Sequence, residues 1–225
     1  MSYKLAKWSC LKDNSHPYAE LFPKRLPEQE IVEIEEKYKI RLPEGYRSFL
    51  EEIANGGPGP YGELWPIEDS LAFMDYYIRS NPDFLSLPFP LKKSLNLCSE
   101  CSEGLEFDDC LSKCQVDPEY QSRVNSCVEY HRSLASFYRQ GTLPIGEYGC
   151  GIFYLLVVSS DERGSVWIDD FANDWGLSPL SQYPDRDVRV DFLTWYENWL
   201  DEQLGARATR SKQHEGILRY GFVDG

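Results

Sequence analysis

The stretch "LPIGEYGCGIFYLLVV", residues 143–158, sets three glycines and a cysteine directly before an apolar run. Such a cluster could cradle a phosphate or hold a nucleophile in a turn. A phosphate loop of the G-x-x-x-x-G-K-[ST] type needs a lysine and a following helix. Here there is no lysine, and "IFYLLVV" is β-prone. The dinucleotide fingerprint G-x-G-x-x-G also opens a helix, whereas Gly146-x-x-Gly149-x-Gly151 has the reverse order and opens a strand. Cys150 as a nucleophile would need an electropositive site and a base. His16, His131 and His214 are remote in sequence, and Glu147, Asp169 and Asp170 would raise a nearby thiol's pKa. The cluster therefore reads as a glycine-permitted turn between two strands, with Cys150 a buried, inert thiol.

A second constellation is Cys98-x-x-Cys101 with Cys110-x-x-x-Cys114. Four thiolates at this spacing match a tetrahedral zinc site. Glu103, Glu106, Asp108 and Asp109 lie between them and add negative charge to the thiolates. A surface loop of reduced thiols is the reading adopted, with no metal or other cofactor expected; structural zinc is the alternative. A third constellation, "IDDFANDW", brings Asp169, Asp170, Asp174 and Trp175 to a strand end. Neighbouring strand residues point to opposite faces, so Asp169 and Asp170 do not make a paired general acid and base.

The 225 residues carry 37 acids against 23 bases, a net charge of −14. Nucleic-acid binding draws on a basic footprint, and this chain has the opposite sign. Its field repels nucleic acid and anionic lipid and attracts basic partners. No apolar run approaches the roughly 20 residues of a membrane span. "MSYKLAKWSC" lacks the apolar core of a secretory signal, and seven cysteines is an odd count, so a cytoplasmic location with free thiols is expected.

The elements that would position these groups fall into two parts. After an extension, residues 1–26, a helix begins at Pro27 with Glu28 and Glu30 in its first turn and Ile31, Ile34 and Tyr38 on one apolar stripe. Glu33, Glu35, Glu36 and Lys37 take its other face. Pro43 starts a second helix, with Tyr46, Phe49, Leu50 and Ile53 inward, and Asn55-Gly56-Gly57 stops it. A short strand around Leu64 and Trp65 and a helix from about Glu68 to Arg79 follow. Residues 80–118 read as a cysteine- and acid-rich insertion, and from Pro118 to Gln140 the pattern is helical, with Val124, Val128, Leu134 and Phe137 inward. "TLPI", "GIFYLLVVSS" and "GSVWIDD" are strands. "VRVDFLTWYENWLDEQL" is an amphipathic closing helix with Phe192, Trp195 or Tyr196, and Trp199 on one side, ending at Gly205. Residues 205–225 read as a loosely attached tail or a late strand. The order predicts a single α+β domain over residues 27–204: an N-terminal helical hairpin and further helices on one mainly antiparallel sheet, closed by the C-terminal amphipathic helix.

"IVEIEEKYKIRLPEGYRSFLEEIANGG" resembles the N-terminal signature of the SUKH superfamily, the Smi/Knr-type domain. "LPIGEYGCGIFYLLVV" with "GSVWIDD" resembles its second block, and "FLTWYENWLDEQL" is similar to its closing helix. The likeness covers residues 27–68 and 142–204 and not the insertion. It implies a non-enzymatic binding protein. Bacterial members are commonly immunity proteins that neutralise toxin domains, often nucleases, and fungal members are regulatory hubs. A basic, nuclease-type toxin domain is thus the expected protein partner, with a regulatory or scaffolding module for an endogenous partner the alternative. Acids would mimic the toxin's phosphate substrate. The contact candidates are Glu106, Asp108, Asp109, Asp169, Asp170, Asp174 and Trp175. Tyr61, Trp65 and Trp167 are further possible aromatic anchors, most of them core residues.

Overall fold

The computed structural model describes residues 22–60, 62–95, 133, 135–173, 175–183 and 186–203. Three prolines set where its first helices begin. Pro27, Pro43 and Pro66 hold the N-cap positions of α1 (Glu28–Tyr38), α2 (Glu44–Glu52) and α3 (Ile67–Phe73), each extended with ψ of 138 to 145°. Proline's ring favours the φ this needs, and its missing N–H costs nothing at a helix start.

α1 ends at Lys39 in the left-handed region, φ 54°. Glu35 does not stay on the solvent face assigned to it from the sequence. Its Oε1 accepts the Leu42 N–H at 2.8 Å and so closes the α1–α2 turn. Arg163, in the loop after β4, donates to the carbonyls of Arg41 and Leu42 at 2.9 and 2.6 Å and ties that turn to the sheet.

The sheet has six antiparallel strands in sequence order: β1 (Gly57–Gly59), β2 (Gly62–Leu64), β3 (Thr142–Gly149), β4 (Ile152–Val157), β5 (Val166–Asp170) and β6 (Gly176–Pro179). A separate hairpin, β7 (Ser181–Tyr183) and β8 (Arg186–Arg189), leads into α5 (Phe192–Gln203). The α+β class, the helical hairpin and the C-terminal helix are as read from the sequence.

Both sheet faces are covered. Tyr154, Leu156 and Val166 pack with Ile31, Tyr46, Phe49, Leu50, Phe192 and Tyr196 from α1, α2 and α5. Phe49 meets Tyr196 and Phe192 edge-on, with centroids 4.9 and 5.4 Å apart. On the other face Leu155, Val157 and Trp167 pack with Phe89, Leu95 and Leu177. A strand buried on both sides reads as a continuous apolar run, which is why "IFYLLVV" shows no alternation.

Several elements depart from the sequence reading. The helix expected from about Glu68 to Arg79 is two, α3 and α4 (Asp75–Ser80), broken at Met74 (φ −85°, ψ 0°). Met74 is buried against Phe84 and Leu85, and the bend brings it there. α2 stops at Glu52, before the Asn-Gly-Gly block; Gly56 and Gly57 instead open β1 with φ of 93° and 111°. The closing helix starts at Phe192, not at Val188. Asp191 Oδ1 accepts the Thr194 N–H at 2.7 Å, an N-cap bond, and the residues before it form β8. Phe137, expected inward, is exposed, while Ala135 on the same helical residues 135–139 is buried. Val124, Val128 and Leu134 lie outside the described residues.

Candidate functional site

Each chemistry-bearing stretch has a definite place. The glycine–cysteine cluster is the tip of the β3–β4 hairpin, where Gly149 pairs with Ile152. Cys150 and Gly151 are the two turn residues, both at positive φ, 54° and 76°. That pattern is a type I′ turn, whose twist suits a two-residue hairpin. A side chain at such a tip projects past the sheet, so Cys150 is exposed rather than buried. A Cβ at Gly151 would stand 2.8 Å from the Ala172 Cβ, which explains a glycine there.

The acids ending β5 are engaged within the fold. Asp169 is 1% exposed, and its carboxylate takes a two-pronged ion pair from Arg139: Nε to Oδ2 at 2.5 Å and Nη2 to Oδ1 at 3.0 Å. Arg139 Nη1 donates to the Tyr77 hydroxyl at 3.0 Å, and the guanidinium lies 5.0 Å from the Phe171 ring centre. Burial opposes the Arg139 charge, but the Asp169 carboxylate and the Tyr77 hydroxyl outweigh it and raise the Arg139 pKa above its ordinary value. Asp170, 6% exposed, accepts the Asn173 Nδ2 at 2.5 Å, and its carbonyl accepts the Trp175 N–H at 3.1 Å. Two residues read as partner-facing thus close the turn after β5. Both sheet faces are covered here, so strand alternation exposes neither acid.

Trp175 stands 49% exposed beside them. Trp167 is fully buried, its indole N–H donating to the Ser165 hydroxyl at 3.0 Å. Trp65 is half-buried against Phe73 and Phe153. Glu106, Asp108, Asp109, Asp174, Tyr61, the four clustered cysteines and all three histidines lie outside the described residues. Among the described residues no group of His, Cys, Asp or Glu is arranged to hold a metal ion, and no helix is long and apolar enough to cross a membrane.

A different set of acids faces solvent together. α1 and the α3–α4 pair enclose an open groove of about 680 Å³. One wall is Glu30, Glu33, Ile34, Lys37 and Tyr38; the other is Glu68, Leu71, Ala72, Asp75 and Arg79. Both sets follow helical spacing, so each wall is one face of a helix or helix pair. The apolar stripe of α1 therefore divides: Ile31 enters the core, while Ile34 and Tyr38 line the groove with Leu71 and Ala72. Four carboxylates and two cations line it, and one cation, Arg79, pairs with Asp75 at 2.7 Å.

Asn55 fixes one end of the groove. Its Oδ1 accepts the Ile67 N–H at 2.9 Å, satisfying a free donor at the start of α3. Its Nδ2 donates to Glu68 Oε2 at 2.7 Å. The Asn-Gly-Gly block thus holds a groove carboxylate rather than ending α2. Burial first, and the Glu68 charge second, push the Tyr46 hydroxyl pKa far above its ordinary value; that hydroxyl is fully buried and finds no hydrogen-bond partner among the described residues.

The sequence reading missed this groove. Its signal was present as two acidic helix faces at i, i+3, i+4, i+7 spacing, Glu30–Glu33–Ile34–Lys37 and Glu68–Leu71–Ala72–Asp75, but nothing in one dimension sets them opposite each other. The groove can bind and steer a cationic, partly apolar surface. The profile described as SMI1 / KNR4 family (SUKH-1) matches residues 25–182, from the turn before α1 through β7's first two residues. Comparison with curated proteins and with solved structures returns no match.

Proposed function

Because this chain belongs to the SMI1 / KNR4 family (SUKH-1), we propose that it is a non-enzymatic binding protein that neutralises a basic, nuclease-type toxin domain by stoichiometric association. The observation that carries the reading is the groove between α1 and α3–α4, lined by the apolar Ile34, Leu71 and Ala72 together with Glu30, Glu33, Glu68 and Asp75. A nuclease that grips a phosphate backbone presents cations, and carboxylates at fixed positions can take the phosphates' place. The net charge of −14 speeds the encounter, and the groove supplies the local contact. Trp175, exposed at the end of the sheet, would be a secondary aromatic contact.

The test is titration of a candidate toxin domain, encoded beside this chain, with purified protein while nuclease activity is followed. Inhibition should saturate at one equivalent. Glu30→Lys with Glu33→Lys should weaken it about tenfold or more, chiefly through slower association and a flatter salt dependence. Binding of an endogenous protein without any toxin inhibition would instead favour a regulatory module. Inhibition that survives the charge reversals would remove the groove from the account.

A further inference from the structure

The groove suits an occupant that is both cationic and apolar, and the chain has basic segments of its own to compare with it. Three long segments lie outside the described residues, and their chemistry differs. Residues 96–132 hold eight acids and three bases, the same sign as the groove, and do not suit it. Residues 204–225 hold four bases and two acids, but they leave from the end of α5, which packs chiefly on α2 rather than on the groove helices. Residues 1–21 begin "MSYKLAKWSCLK", in which Lys4, Lys7 and Lys12 alternate with Leu5, Trp8 and Leu11, with no acid before Asp13.

Position favours this first segment. The described chain starts at Phe22, which packs on the core beside α1 and α2. The Lys24 carbonyl accepts the Asn55 N–H at 3.2 Å, and the Asn55 side chain holds the groove's Glu68 at 2.7 Å. The segment therefore joins the fold one residue's width from the Glu68 end of the groove. Lys12 lies ten positions before Phe22, a reach of up to ~33 Å when extended. α1, which forms one wall, is only ~16 Å long. Such a short tether would give the segment an effective concentration at the groove in the millimolar range.

We propose that the segment around Lys4–Lys12 docks into the acidic groove of its own chain, Leu5 and Trp8 against Ile34 and Leu71 and the lysines against Glu30, Glu33 and Glu68. A basic partner then has to displace it. The fold thereby sets a threshold on partner binding, since only a partner whose cations outcompete the tethered lysines gains the groove.

The experiment uses the full chain with no partner, so its failure leaves the toxin-binding reading standing, and failure of that reading leaves this one standing. Zero-length carbodiimide coupling joins lysine amines to carboxylates already in contact, and mass spectrometry locates the amides. The expected result is coupling of Lys4, Lys7 or Lys12 to Glu30, Glu33, Glu68 or Asp75, in preference to exposed carboxylates elsewhere such as Asp161. In an equimolar mixture of light and isotope-labelled protein these links should stay within one chain. They should fall severalfold in 0.5 M salt, where the Debye length is about 4 Å. Any of four outcomes overturns the proposal: no link between residues 1–21 and the groove, links spread evenly over exposed acids, links mainly between chains, or groove carboxylates coupled instead to Lys212.

Discussion

Two clusters of acids in this protein have the same side-chain chemistry and opposite fates. At the end of β5, Asp169 and Asp170 are buried, and Arg139 and Asn173 engage their carboxylates. In the groove, Glu30, Glu33, Glu68 and Asp75 line an open cleft. The difference lies in what surrounds each element. β5 runs between β4 and β6 and is covered on both faces, so an acid there must bring a partner inside. α1 and α3 are surface helices, with one stripe inward and the rest outward. Acidity alone therefore does not mark a binding surface; the number of covered faces decides whether a carboxylate is engaged within the fold or left facing solvent.

The sharpest way to break this contrast is to remove one buried acid. Asp169→Ala leaves the Arg139 guanidinium uncompensated in a site where its side chain is 15% exposed. A loss of ~3–5 kcal/mol is expected, read from the urea midpoint. Replacing both partners, Asp169→Leu with Arg139→Met, should recover most of it; a double variant as weak as the single one would show that the pair holds the fold by more than its charges.

Asn55 links fold and groove, so Asn55→Ala should cost both. It frees the Ile67 N–H and releases Glu68, with ~1–3 kcal/mol lost in denaturant melts and weaker partner binding alongside. An unchanged melt would mean that solvent replaces Asn55 without penalty.

Tyr46 adds to the comparison a buried polar group with no partner among the described residues. Tyr46→Phe removes a hydroxyl that makes no bond among the described residues, so stability at neutral pH should change by under ~1 kcal/mol, in the stabilising direction. Its pKa is raised in the folded state, from an ordinary value of 10.0. The stability tied to keeping the proton is thus fully present below pH 10 and is lost as pH rises beyond it, because the unfolded chain ionises first. Wild type should lose stability above pH 10 more steeply than Tyr46→Phe, and parallel alkaline melts would contradict this burial.

The smallest expected effect lies on the other side of the contrast. Glu30→Gln with Glu33→Gln should leave the melt within ~0.5 kcal/mol of wild type, while partner binding weakens. A large loss of stability would place these acids with Asp169, as part of the fold.

Much of the architecture was legible in one dimension. The prolines at 27, 43 and 66, the helical stripe at Ile31 and the apolar run after Gly151 each report a local rule: φ restriction, period 3.6, and burial of a whole strand. The misreadings have a common source. The bend at Met74 is set by the Phe84–Leu85 pocket, β8 by pairing with β7, and the exposure of Phe137 by which side of helical residues 135–139 faces inward. The Met74 pocket and the packing at Phe137 join residues apart in sequence, and the β7–β8 pairing, though local, outweighs the helical pattern of the residues it uses. Asp191 is the exception, a local N-cap signal that the reading passed over.

The site divides the same way. From residue types and spacing alone came the reading of the glycine cluster as a turn between two strands, the acidic field and the likeness to a family of binding proteins. Those properties depend on which atoms are near in the chain, or on sums over all of it. Which acids stay buried and which line a cleft, that Cys150 sits at an exposed turn tip, and that Asn55 holds Glu68 were decided only in three dimensions. Burial and opposition are relations between elements, set by how α1, α3 and the sheet pack, and sequence spacing carries no record of the distance between two helices.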